Sequence, residues 1–173
     1  MSAKDSVLTG SAGEHYVLYR LHRQGVLAAH SPAGARDADI LVFDERGVGR
    51  RVQVKTRTHG ADRGWHMSQK HERLRDPGLV YAFVDMEPEP PVVYVVPSEV
   101  VADVVAVAHQ GWLAAPGKAG RVRRDTKFRR LRPEYDYLVE GFEGDWLAPY
   151  RDRWDLLGRP VQLPPAGLES RER

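Results

Sequence analysis

Four residues in the first third of the chain have types and spacing suited to chemistry on a phosphate: Glu14, Asp39, Gln53 and Lys55. Gln53 and Lys55 sit two apart in the alternating run Arg51-Val52-Gln53-Val54-Lys55-Thr56, so a strand there puts both on one face. Asp39 leads the apolar run Ile40-Leu41-Val42-Phe43, and the turn-rich stretch Asp44–Arg50 follows it. An antiparallel hairpin across that turn brings Asp39 beside Gln53 and Lys55. Glu14 precedes Val17 and Leu18 by three and four residues, which places it on the sheet-facing side of a predicted helix. Two carboxylates and a carboxamide oxygen are hard ligands that suit Mg²⁺, with Mn²⁺ as a substitute. A lysine next to them orients or deprotonates an attacking water and stabilises charge on the phosphate. Together these groups equip a site for metal-assisted phosphodiester hydrolysis.

Each residue also has an ordinary structural use. Ser11-Ala12-Gly13-Glu14 matches a capping box, with Ser11 at the cap and Glu14 three residues on. Asp39 can serve as a turn residue beside Asp37, and Asp37 competes with it for a ligand role. Gln53 and Lys55 fit the wet face of any amphipathic strand. The shared order and spacing of all four favour the chemical reading. Rival motifs are missing: no Gly-Lys-Ser/Thr follows a glycine loop, and no Gly-x-Ser-x-Gly elbow occurs. His59, His66 and His71 lack the four-residue spacing that sets two imidazoles on one helix face, while His15 and His22 are expected at the surface of the first helix.

The elements that must position these groups can be read from apolar periodicity. A helix opens at Ser11 and stops at Gly25, and a short strand covers Val26–Ala29. Strands follow at Ala38–Phe43, Arg51–Thr56, Leu79–Val84 and Val92–Val96, the last two separated by the proline-rich link Glu87–Pro91. A polar loop is expected at Arg57–Gly64 and a short helix within Trp65–Arg75, where Gln69 or Lys70 would meet substrate phosphate. Ser98 is expected to cap a helix with Val100, Val101, Val104, Val105 and Ala108 on its buried stripe.

The ordered set Glu14, Asp39, Gln53-Val54-Lys55, with apolar flanks Val52 and Val54 and the strand Ile40–Phe43, resembles the PD-(D/E)XK, restriction-endonuclease-like nuclease superfamily in its glutamine variant. The stretches Val80–Asp85 and Tyr94–Ser98 also resemble the back half of its small, uncharacterised members. The resemblance covers about residues 10 to 110 and implies an α/β fold, a mixed β-sheet flanked by helices. It further implies Glu14, Asp39, Gln53 and the Val54 carbonyl as metal ligands and Lys55 as the motif lysine. Gln53 stands where the family usually has an acid, and no proline directly precedes Asp39.

Composition bounds the remainder. The chain has 173 residues, a net charge of +2 and no cysteine, which excludes a disulfide scaffold, a thiolate zinc site and cysteine catalysis. No apolar run approaches the ~18 residues of a membrane span, and Met1–Ser6 carries no secretory core, so a cytoplasmic protein is expected. Residues 1–110 are expected to form the α/β core, 111–157 an irregular aromatic-rich flank packed on it, and 158–173 a flexible tail. Arg121, Arg123, Arg124, Lys127, Arg129, Arg130 and Arg132 face a single acid, Asp125, and an acid-rich stretch follows from Glu134 to Asp155. With Arg57 and Lys70, the residues Arg121, Arg123, Arg124, Lys127, Arg129 and Arg130 are expected to hold a nucleic-acid backbone. The functional expectation is a Mg²⁺-dependent endonuclease acting on nucleic acid, most simply DNA, with a homodimer compatible with double-strand cutting. The alternatives are a non-catalytic nucleic-acid-binding or assembly module on the same fold, and an interaction domain using exposed aromatics of Tyr135–Trp154.

Overall fold

A computed structural model of the chain describes residues 3–35, 37–44, 47, 49–58 and 64–158. Helix α1 spans Ala3–Arg23, with Val17 and Leu21 fully buried, and Gly25 turns the chain at a φ of 74°. Strands β1 (Leu27–His30), β2 (Ile40–Phe43) and β3 (Gly49–Arg57) form an antiparallel meander. The β2–β3 register sets Ile40 opposite Val52. Strand β4 (Trp65–Ser68) and a 3-10 turn (Gln69–Glu72) lead to β5 (Leu79–Asp85), which runs parallel to β3. Strand β6 (Val92–Pro97) is antiparallel to β5 and feeds helix α2 (Ser98–Ala114). The main sheet is ordered β1-β2-β3-β5-β6, a mixed five-stranded sheet with a helix against each face. A separate two-stranded ribbon joins β4 to β7 (Phe128–Leu131).

The strands follow their sequence patterns. Every residue of β5 is buried, as its unbroken apolar run requires for a strand covered on both faces. Strand β3 alternates: Val52 and Val54 face α1 in a core with Val17, Leu21, Val80 and Ala82. The other face of the sheet carries Tyr81 and Phe83, packed with Trp65, Leu131 and the Val101, Val104 and Val105 stripe of α2. Residues 111–157 complete both cores: Leu131, Trp146 and Leu147 join the α2 side, and Trp154 and Leu157 join the α1 side. Trp146 and Trp154 are 8% and 6% exposed, so neither is an outward partner-binding ring.

Three local expectations are corrected. First, α1 begins at Ala3 and runs through Ser11, whose hydroxyl lies 3.4 Å from His15 Nδ1 on the next turn. Ser11 is therefore no cap, and Glu14 is free of the capping box. The extra turns expose Val7 and Leu8 and carry no buried stripe, so periodicity held no sign of them. Second, Trp65–Ser68 is a strand and only Gln69–Glu72 is helical. Trp65 and Met67 are buried while His66 is exposed, a two-residue period that a partner about sixty residues away makes sense of. Third, Ser98 is the first residue inside α2 rather than its cap. Its hydroxyl accepts from Asp76 N–H and donates to Asp76 O, each at 2.8 Å, which pins the β5-entry turn to the helix start.

Candidate active site

Strand β2 ends its pairing at Ile40, but β3 continues to Arg57. Asp39 sits at that departure point. Its N–H donates to Val52 O at 2.8 Å, closing the last rung of the ladder. Its carboxylate then takes over from the missing strand: Oδ2 accepts Val54 N–H at 2.7 Å and the Gln53 Nε2 amide. An extended residue sends its N–H and C=O to the same side of the strand. The Val54 carbonyl therefore also leaves β3 on the Asp39 side.

Gln53 and Lys55 project from the α2 face of β3, in register with Tyr81 and Phe83 of β5. Helix α1 lies on the opposite face. It approaches β3 closely because residue 13 is glycine; a Cβ there would overlap the Thr56 side chain, lying 2.9 Å from Thr56 Cβ. The next residue, Glu14, is half-buried, with Oε2 3.7 Å from His30 Nδ1. Its carboxyl is pushed above the usual range by burial and then by the Asp39 charge, against the pull of His30 and His15. Glu14 thus comes from one face of the sheet and Gln53 and Lys55 from the other. Asp39 lies at the edge that β2 vacates, and its charge acts on Glu14 from one face and on Lys55 from the other. The structure bonds Asp39 directly to Gln53 and Val54, and it sets Glu14 and Lys55 on opposite faces of the sheet rather than on one.

Lys55 makes no hydrogen bond or ion pair with any other described side chain. Burial pushes its ammonium pKa down, and the Asp39 charge partly restores it. Two further polar groups lie on this side of the sheet: His71, on which the Lys55 charge acts, and Tyr81, opposite Gln53. His71 is 4% exposed, with Nδ1 accepting Ser68 N–H at 3.0 Å, and burial holds its pKa below the ordinary value. Tyr81 lies beside it, ring to ring at 5.9 Å. The His71 Nε2 and Tyr81 hydroxyl are both buried without a hydrogen-bond partner among the described residues. The only sequence signal for this pair was a polar atom on each of two otherwise inward positions.

Asp37 resolves as the turn residue, at a φ of 56°. It binds Lys70 Nζ at 2.5 Å, and that hydrogen bond holds its carboxyl below the usual range. Asp37 is therefore paired away from Gln53. Lys70 is tied to Asp37, two residues from Asp39.

The cationic residues divide. Arg129 is corrected from a backbone-binding surface residue to a buried strut: it is 3% exposed, it pairs with Glu72, and its Nη1 donates to Phe128 O at 2.9 Å. Its position on the inward face of β7 gives it no surface to present. Arg57 is also internal, bound to Asp85 at 2.5 Å and stacked 4.4 Å over Trp65. Arg123 is tied to Trp112 O at 3.0 Å and stacks on the Trp112 ring. Arg121, Arg124 and Lys127 are exposed, and Arg130 is half-exposed over Phe128. Arg132 meets Asp136 of the acid-rich stretch at 3.3 Å. His15, His22 and His66 are exposed, whereas His59 lies outside the described residues, as do most of 158–173.

Among the described residues no three histidine, aspartate or glutamate side chains group as a metal cage. The donor set at this edge is smaller: two carboxylates, an amide and a main-chain carbonyl. It suits a cation that retains several waters, as Mg²⁺ does. The unfavourable Asp39–Glu14 charge interaction is of the kind a cation relieves.

No family model matches the chain, and no curated protein matches it. Among solved structures it is similar to a bacterial homing endonuclease, I-Ssp6803I, at 19% identity over 90% of both chains, with a TM-score of 0.46. The architecture is a mixed α/β sheet flanked by helices, the expected fold class. No helix among the described residues is long and apolar enough to cross a membrane.

Proposed function

We propose that the chain is a metal-dependent nuclease that hydrolyses phosphodiester bonds, most simply in DNA, at the β2–β3 edge. The observation that carries this reading is the central place of Asp39. It bonds Gln53 and Val54 directly, and its charge acts on both Glu14 and Lys55. Asp39, Glu14, the Gln53 amide oxygen and the Val54 carbonyl would hold Mg²⁺ or Mn²⁺. The bound ion would polarise the phosphate and acidify a water. Lys55, with its depressed pKa, would orient that water and neutralise charge that builds on the phosphate oxygens. Exposed Arg121, Arg124 and Lys127 would track the backbone, as a salt-dependent interaction.

The test is cleavage of duplex and single-stranded DNA with Mg²⁺, with Mn²⁺ and with EDTA. The expected result is metal-dependent cutting that Asp39→Ala and Lys55→Ala each abolish without unfolding. Cutting in EDTA, or at parental rate by either variant, overturns the reading.

One observation favours a second reading, a binding module without catalysis. Gln53 and Val54 already supply two N–H groups to Asp39, so part of its charge is satisfied without a cation. DNA binding that persists with no Mn²⁺ uptake would select this alternative.

A further inference from the structure

A cavity of about 270 Å³ opens between the C-terminal half of α2 and β7, away from the β2–β3 edge. Its walls are flat and its rim is cationic. Trp112 and His109 stack with ring centroids 5.6 Å apart and planes 18° from parallel. The His109 Nε2 is fixed to Asp125 at 2.8 Å, so that wall is preformed. Phe128 is 52% exposed at the mouth and is braced edge-on by His66 at 5.1 Å. Tyr137 closes another side, and Arg130 and Arg132 add two guanidinium groups. The size falls at the small end of ligand pockets. Flat rings with guanidinium planes, next to a basic loop, match the way single strands are bound: bases stack on aromatics while cations follow the phosphates.

We infer that this cavity takes an unpaired nucleobase of a nucleic-acid strand whose phosphates run along residues 121–127. The link toward the candidate active site runs through one main-chain and one side-chain contact. Lys127 O accepts Gln69 N–H at 3.0 Å, and the adjacent Lys70 binds Asp37, two residues from Asp39. A strand leaving the β2–β3 edge thus crosses the 3-10 turn and reaches β7. The inference rests on the proposed function only in taking nucleic acid as substrate. It adds that an extruded or single-stranded nucleotide is held in a cavity separate from the cutting site, which a fully paired duplex cannot offer.

Trp65, Trp146 and Trp154 are 1%, 8% and 6% exposed, so half-exposed Trp112, which already stacks with His109 and Arg123, is the tryptophan whose emission a base entering beside it quenches. The experiment titrates the full chain with oligothymidylate in EDTA and reads tryptophan fluorescence. Quenching is expected, and Trp112→Leu should lose it. Phe128→Ala, an exposed change that keeps the reporter, should weaken apparent affinity about tenfold, with an unchanged melting temperature as the folding control. Absent quenching in the parent, or parental affinity in Phe128→Ala, overturns the inference. So does equal affinity for thymidine monophosphate and for the oligonucleotide, which would make the cavity a mononucleotide site. Quenching without any Mg²⁺-dependent cleavage would reject the nuclease reading alone; cleavage without quenching would reject the base-binding cavity alone.

Discussion

The Val54 main-chain N–H donates to Asp39 Oδ2 at 2.7 Å, so a side chain occupies the ladder position that β2 leaves empty. A β-edge with an open N–H is thereby converted into an anchored carboxylate. The anchor fixes Asp39 with respect to the very strand that carries Gln53 and Lys55.

Asp39→Asn should separate anchoring from charge. The asparagine oxygen can still accept Val54 N–H, so the melting temperature should shift by no more than a few degrees, equivalent to about 1 kcal/mol. Cleavage should fall by about 100-fold or more, because the metal loses an anionic ligand. Melting curves and a nuclease assay on the same preparation check both halves.

Lys55→Met should stabilise the fold while abolishing cleavage. Burial lowers the Lys55 pKa, so the charged form costs stability at neutral pH. Removing that charge should raise stability by about 1 kcal/mol, read by urea unfolding. A loss of stability would show that Lys55 is structural rather than held in place for chemistry.

Gly13→Ala sets two effects against each other. Alanine favours a helix interior over glycine by about 1 kcal/mol. Here the added methyl group meets the Thr56 side chain, and overpacking costs typically 1–3 kcal/mol. Net destabilisation is expected, with reduced cleavage as α1 carries Glu14 away from Asp39. Thermal unfolding and initial cleavage rates measure the outcome.

Arg129 and Lys127 should differ sharply although they are two residues apart. Arg129→Ala leaves Glu72 without its buried partner and should cost about 3–5 kcal/mol. Lys127→Ala should leave stability alone and reduce the slope of log affinity against log salt by about 1. Denaturant unfolding and DNA binding over a salt series distinguish a strut from a phosphate contact.

His71 sets a pH dependence. Its folded-state pKa lies below the ordinary 6.5, held there mainly by burial and by the nearby Lys55 and Lys70 charges. Between those two values the unfolded chain binds a proton that the folded chain refuses. Its contribution to stability is therefore complete above pH 6.5 and is lost as pH falls from there through the folded value. His71→Gln should flatten this part of the acid limb of the melting temperature. An unchanged limb would assign the acid sensitivity to other groups.

Much of this was legible in local pattern. Alternation at Arg51–Thr56 and the apolar run at Leu79–Val84 marked the two central strands, because burial on one face or both leaves a periodic trace. The approach of Asp39 to Gln53 was legible from the hairpin expected across Asp44–Arg50. What escaped was non-local or inverted. Strand β7 hides its period because Arg129 occupies an inward position, and its charge is met by Asp125 nearby and by Glu72, 57 residues earlier. Tyr81 opposite Gln53 and His71 within reach of the Lys55 charge were invisible, since the first comes from the parallel pairing of β3 and β5 and the second from the 3-10 turn, and no residue near either one announces it.

The β4–β7 ribbon has a consequence for biogenesis. Trp65 and Met67 emerge from the ribosome long before their ladder partners Leu131 and Arg129 exist. Until those residues are synthesised, the α2-side core lacks one wall, and a large indole stays wet on the nascent chain. Completion of that core is thus a late, post-α2 event in vectorial synthesis, and a stalled or prematurely terminated chain ending near residue 115 would present a sticky, chaperone-grade surface.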